Sequence, residues 1–252
     1  MIEVLLEPFT DFAFMRRALV GSLAISMTAP PIGVFLMLRR MSLMGDAMGH
    51  AILPGAAIGY LLAGLSLFAM SLGGFAAGLA VELAAGLVAR SRVIREDASL
   101  AGFYLLSLAL GVFLVSVHGT NVDLLHVLFG SVLALDDTAL LLVAGIATVS
   151  LITLAAIYRP LVLECFEPHY LRSVSRWSSP THLTFLVLVV LNLVAGFQAL
   201  GTLMAVGIML LPAVSSRFWA DSAGGMSAVA VIAAFLSSVA GLLISYHYSV
   251  PT

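Results

Sequence analysis

The chain has 252 residues, 62% of them hydrophobic and only 10% charged, with a mean hydropathy of +1.14. A water-soluble domain carries about 25% charged residues, so that class is excluded and an integral membrane protein is indicated. Eleven basic residues spread along the chain against thirteen acidic ones give a formal net charge of -2. That pattern excludes a nucleic-acid surface, which needs clustered cations.

The first residues, with Glu3, Glu7 and Asp11, lack the basic start and small-residue cleavage site of a signal peptide and read as a short interfacial helix. Apolar runs long enough to cross or nearly cross about 30 Å of hydrocarbon follow at Leu19 to Leu38, Ala51 to Leu67, Met70 to Val88, Leu100 to Val117, Ala139 to Ile157, Leu183 to Phe197, Leu200 to Val214 and Met226 to Tyr246. These eight segments predict an all-α, polytopic membrane bundle forming a single domain over residues 1–252. Nine of the eleven arginines fall after odd-numbered spans. The positive-inside rule makes that side cytoplasmic and places the amino terminus outside, with Arg16 and Arg17 as exceptions. Parity requires Leu183 to Val214 to cross twice, although Gly201, Gly207 and Pro212 interrupt its second half. Broken helices of this kind line pathways more often than they face lipid.

Asp46 and His50 stand four residues apart between the first two spans, in an otherwise apolar stretch. An ionisable residue at membrane depth costs about 3 kcal/mol on insertion scales and is usually retained for a path or a site. At i and i+4 of a helix the two share a face. They offer one oxygen and one nitrogen, donors suited to zinc or manganese. A proton relay is served equally well by the same pair.

Further along, Leu72 to Gly78 is a small-residue packing surface, and Glu82 is read as snorkelling or pairing within its span. The segment His118 to Asp137 is too short and mixed to span and reads as an external loop with a short helix. Its two histidines, His118 and His126, and three aspartates, Asp123, Asp136 and Asp137, are open candidates for metal capture. On the opposite side, Arg159 to His182 is the longest polar stretch, with a helix start near Pro168. Its aromatics Phe166 and Tyr170 suit a docking knob for a cytoplasmic partner. His247 closes the last span. The single cysteine, Cys165, excludes an intrachain disulfide. The chain contains no lysine, so it has no Walker A motif and any ATP-driven step belongs to another polypeptide. It contains no HExxH motif either.

Three passages together resemble the permease subunit of the zinc/manganese-type metal-ion ABC importers. They are Arg39 through Asp46 and His50 to Gly55, then Val122-Asp123-Leu124 with Leu128 to Ala134, and finally Ala199 to Thr202 with Leu210 to Ala213. The resemblance covers nearly the whole chain. It implies a type II importer-like permease in a bacterial cytoplasmic (inner) membrane, pairing with a second copy of itself, cytoplasmic ATP-binding subunits and an extracytoplasmic metal-binding protein. No cofactor is permanently bound on this reading; a divalent metal is the cargo, and ATP acts only through the partner subunit. Asp46 and His50 correspond to the family's metal-contact residues. Phe166, Glu167, Pro168, His169, Tyr170, Leu171 and Arg172 correspond to the ATPase-coupling segment, departing from a Phe-Asp-Pro-Glu pattern. The relatives continue into one more apolar helix beyond Val250-Pro251-Thr252, so a shortened or truncated chain is expected.

Three rivals stand beside this reading. A secondary transporter would use Asp46 and His50 to relay protons, and a purely structural bundle would pair Asp46 with a nearby arginine. An intramembrane enzyme would need a nucleophile-base constellation, which the sequence lacks. A polar cytoplasmic loop with exposed aromatics favours an ATPase partner over a proton-driven carrier.

Overall fold

The computed structural model describes residues 2–64, 66–90, 96–117, 135–166 and 178–248. Among them the regular structure is entirely helical. In chain order the helices are α1 (Ile2–Asp11), α2 (Ala13–Leu38), α3 (Ser42–Ala51), α4 (Leu53–Ala63), α5 (Leu67–Arg90), α6 (Glu96–Val117), α7 (Asp137–Phe166), α8 (Ser178–Leu200), α9 (Thr202–Ser216) and α10 (Ala223–Tyr248). Five of them, α2, α5, α7, α8 and α10, contain stretches long and apolar enough to cross a membrane. The remaining predicted crossings fall on α6, on α9 and on the α3–α4 pair.

Helices α2 and α8 are largely buried, whereas α5, α7 and α10 turn long apolar faces outward. Leu87, Leu106, Phe113, Leu141, Ile152 and Leu236 are among the exposed side chains on the outer helices, as expected for residues facing lipid. Pro30 and Pro31 lie inside α2, in a stretch buried from Thr28 to Leu36. Backbone that cannot complete its own ladder is tolerated at membrane depth where protein surrounds it.

Small residues let the helices touch through their backbones. A Cβ on Gly55 of α4 would run into the carbonyl of Gly73 on α5, one on Gly59 into the carbonyl of Ala69, and one on Gly33 of α2 into the carbonyl of Met209 on α9. Polar side chains add bonds between helices: Asn192 Nδ2 donates to Ser150 Oγ at 2.8 Å, and Ser99 Oγ to the Ala85 carbonyl at 3.0 Å. Such bonds are worth about 0.6 kcal/mol each in a membrane, so they set register more than they add stability.

Several boundaries depart from the sequence expectations. Helix α2 begins at Ala13 rather than Leu19, so Arg16 and Arg17 are helical; Arg16 Nη1 donates to the Thr10 carbonyl at 2.8 Å, and Arg17 pairs with Asp137 at 3.4 Å. The second predicted span starts earlier, at Ser42, and breaks at Ile52. In the polar stretch from Arg159 to His182 the described residues, at its two ends, are helical. Its first part, to Phe166, continues α7, because Leu161 and Glu164 are buried against the bundle. Its last part starts α8, whose first turn accommodates Pro180 because that turn's N–H groups lack intrahelical partners anyway. Phe166 is the last described residue of α7; the helix start expected over Phe166 to Arg172 otherwise falls on residues 167–177, which lie outside the described residues.

The contacts sort the helix ends into two sets. One end gathers Phe12, Arg17, Asp137 and Tyr246, through the Arg17–Asp137 pair and a 5.8 Å contact between the Phe12 and Tyr246 rings. The other gathers Arg39, Glu164 and His182, and near it Met37, Leu38 and Ala220 all pack against the Val34, Ala213, Met226 and Ala230 cluster. Helix α8 reverses into α9 at Gly201, whose φ of 82° suits glycine, and Gly196 then faces Ala205.

Two outcomes are expected. Gly55→Val should lower the thermal midpoint of the purified protein, since overpacking destabilises by about 1–3 kcal/mol; Gly86→Ala, inside α5 with nothing within 4 Å of the added Cβ, should hold or raise it, since alanine is favoured over glycine in a helix interior by about 0.5–1 kcal/mol. In a Cys165→Ser background, Phe218→Cys should react with an impermeant thiol reagent from the cytoplasm and Tyr246→Cys from the opposite face. Labelling of both from one face would contradict the orientation drawn from the arginines.

Candidate functional site

Helix α3 carries both residues of the sequence-derived pair. From Met44 to Ala51 it is buried except at Asp46, which is exposed, and His50, which is partly so. The burial comes from glycine: a Cβ on Gly45 would meet Met209 and Leu210 of α9, and one on Gly49 would touch Phe197 and Val206. Helix α3 therefore lies against the middle of α9, with Asp46 exposed and His50 partly so.

The His50 ring is held from one side. It stacks on Tyr104 of α6 with centroids 6.2 Å apart and planes 27° from parallel. One turn further along α6, Ser107 Oγ donates to the Ala51 carbonyl at 3.0 Å. Nδ1 of His50 is buried and has no hydrogen-bond partner among the described residues. Just beyond, Pro54 has no N–H to offer the His50 carbonyl, and the chain breaks at Ile52 before α4 begins. Ile52 itself keeps right-handed helical dihedrals, its N bonding Met48 O at 3.2 Å and its carbonyl accepting from Ala56 N at 3.1 Å, so the interruption is the one bond that Pro54 cannot make.

One copy of the chain supplies one carboxylate oxygen and one imidazole nitrogen here. Among the described residues no group of three or more His, Cys, Asp or Glu side chains could close around a metal. A structural zinc site takes four protein ligands, so the pair alone suits a passing ion rather than a resident one. Among the described residues Asp46 makes no ion pair; the arginine–carboxylate pairs are Arg17–Asp137 and Arg39–Glu164. Arg39, an arginine seven residues before Asp46, is paired with Glu164 instead.

That second cluster is what sequence reasoning missed. Arg39 Nη2 lies 2.8 Å from Glu164 Oε1 and 2.9 Å from His182 Nδ1, and the guanidinium sits 5.1 Å from the centroid of the buried Phe185 ring. Arginine only donates, so His182 Nδ1 accepts and carries its proton on Nε2. The Arg39 and Glu164 side chains are 9% and 4% exposed, which makes this a buried ion pair. The available signal was Glu164 itself, an acid in the apolar run Leu161 to Cys165.

The other candidates separate. Glu82 is buried within α5. Asp136 caps α7, its carboxylate accepting from Ala139 N at 2.7 Å, and Asp137 pairs with Arg17. His247 is exposed at the end of α10 beside Tyr246. His118, His126 and Asp123 lie outside the described residues, as do Glu167, Pro168, His169, Tyr170, Leu171 and Arg172. Phe166, at the tip of α7, is 61% exposed.

Comparison with known proteins gives consistent relatives. The chain is 32% identical over 250 residues to the manganese import system permease protein ScaB of Streptococcus parasanguinis, covering 99% of this chain and 88% of that one. It is 30% identical over 252 residues to a probable iron transport system membrane protein of Haemophilus influenzae, covering 100% and 91%. Its fold matches a chain of the structure of PsaBC from Streptococcus pneumoniae in complex with Fab, with a TM-score of 0.87 at 29% identity, covering 100% of this chain and 89% of that one. The family model described as the ABC 3 transport family matches residues 11–252, and the chain therefore belongs to the ABC 3 transport family.

Proposed function

We propose that this chain is the permease subunit of an ATP-driven importer of divalent metal ions, with manganese the first candidate cargo and iron and zinc the alternatives. The observation that carries the reading is the Asp46–His50 pair. It is one helical turn of oxygen and nitrogen donors, free of ion pairs among the described residues, on an otherwise buried helix beside the middle of α9. The names of the relatives, manganese and iron permeases, supply the chemistry of the cargo. First-row divalent ions accept this mixed donor set, and selection among them rests on geometry and delivery.

Two ligands from one chain are too few to strip a hydrated ion. A second copy across a two-fold axis would contribute its own Asp46 and His50, giving two oxygens and two nitrogens. The exposure of Asp46 on one copy supports that arrangement. A site shared between two separable halves binds when they close and releases when they part, as a permease requires. Energy for that movement comes from separate ATP-binding subunits, since no lysine is available for a Walker A motif. Their docking site on this reading is the segment from Phe166 to Arg172, and an extracytoplasmic metal-binding protein delivers the ion.

Asp46→Asn keeps the shape of the side chain and removes its charge, while His50→Ala removes the nitrogen donor. Each should lower manganese uptake by about 100-fold, given that even outer-shell partners of metal ligands are worth roughly 10–100-fold. The thermal midpoint in detergent should stay at the parent value. Uptake at parent rates in both variants would leave the pair structural. Competition by iron and zinc in the same assay ranks the cargo.

The ATPase assignment has its own check. Purified alone, the chain should hydrolyse no ATP. Glu167→Lys combined with Tyr170→Ala should leave membrane insertion intact yet reduce the amount of ATP-binding subunit that co-purifies; undiminished co-purification would move the docking site elsewhere.

A further inference from the structure

We infer that the buried Arg39–Glu164–His182 cluster is a transmission joint, which fixes the stems of the 167–177 segment to the turn that leads into α3 and so carries displacement of that segment to Asp46 and His50. The inference rests on the proposed roles of the coupling segment and of the α3 pair, and assigns these three as positioning residues.

The geometry supports this through where each member stands. Glu164 lies three residues before residue 167, in the last turn of α7, and His182 five residues after residue 177, in the first part of α8. One guanidinium nitrogen, Arg39 Nη2, holds both, at 2.8 and 2.9 Å. Both stems are thus tied to a single side chain. Arg39 is the C-cap of α2, and α3 starts three residues later. Between them the backbone closes tightly: Arg40 N bonds Met37 O at 3.0 Å and Met41 N bonds Leu36 O at 2.9 Å. This is the paired-bond helix stop in which glycine usually occupies the left-handed position. Here Arg40 occupies it, with φ 60°. A non-glycine residue in that conformation is strained and persists only where its surroundings over-determine it. A helical arm from Ser42 then leads to Asp46 and His50, so a shift of the two stems has a short path to the metal pair, with no flexible glycine in the turn to absorb it.

Chemistry also argues against a purely stabilising role. Replacing a buried ion pair by apolar side chains of similar volume is often neutral or stabilising, so stability alone gives no reason to keep charges here. The face of Phe185 covers the guanidinium, and Thr181 Oγ1, beside His182, is buried with no partner among the described residues.

The test uses the complete transporter, permease with its ATP-binding subunit and binding protein, reconstituted in vesicles with manganese as the probe ion. Two variants are compared with the parent. Arg39→Met with Glu164→Leu removes both charges together and leaves no lone buried charge. Arg40→Gly relaxes the turn while leaving the cluster untouched. For both, the ATP-binding subunit should still co-purify and ATP hydrolysis should continue, while manganese ions moved per ATP hydrolysed fall by about fivefold or more, the low end of typical coupling between sites. A parent ratio in Arg40→Gly, or in a double variant that still assembles, overturns the joint. Should the double variant fail to assemble, the Arg40→Gly ratio decides alone. A parent transporter whose hydrolysis is indifferent to Tyr170→Ala, or whose uptake is indifferent to Asp46→Asn, refutes the underlying reading instead, so the two failures are distinguishable.

Discussion

Inside hydrocarbon every backbone N–H and C=O must find its partner within the protein, and the arrangement of this chain follows from that requirement. Continuous helices meet it without help, and α5, α7 and α10 accordingly turn their apolar faces outward. Each place where the ladder is interrupted is sheltered instead. Pro30 and Pro31 lie in the buried stretch of α2, the Ile52 break lies against α5 and α6, and the reversal at Gly201 is closed by Gly196 against Ala205. Irregular backbone is permitted where protein surrounds it, and there it frees a helix such as α3 to hold polar groups at depth.

Most of the fold was legible in composition and hydropathy, because apolar length is what a bilayer selects. The errors fall where that signal and helicity differ. Arg16 and Arg17 interrupt hydropathy but not α2, since Asp137 and the Thr10 carbonyl take up their donors. Arg159 and Pro160 resembled the start of a loop, yet α7 continues to Phe166 because Leu161 and Glu164 have buried places waiting. The Ile52 break went unrecognised although Pro54 was in plain view, because its effect depends on α3 having its own packing partner in α9.

The candidate site was legible in part for the same reason. A carboxylate and an imidazole four residues apart in an apolar stretch announce themselves by expense. Their surroundings do not: Tyr104 and Ser107 come from α6, more than fifty residues away, and nothing local marks them. Likewise Arg39 was read as a topological charge, which requires no partner, whereas the folded chain gives it Glu164 and His182 from two other helices. Long-range pairing of buried charges is invisible to any window along the sequence.

The contact between Gly55 and Gly73 has a kinematic consequence. Where two helices meet backbone to backbone, no side chains lie between them to change rotamer and let one slide along or roll over the other. Gly55 with Gly73 and Gly59 with Ala69 place two such contacts one turn apart on the same seam, and two fixed points determine a line. Sliding of α4 along α5 is therefore resisted at both points, and rotation about the line that joins them is the relative motion this seam leaves open.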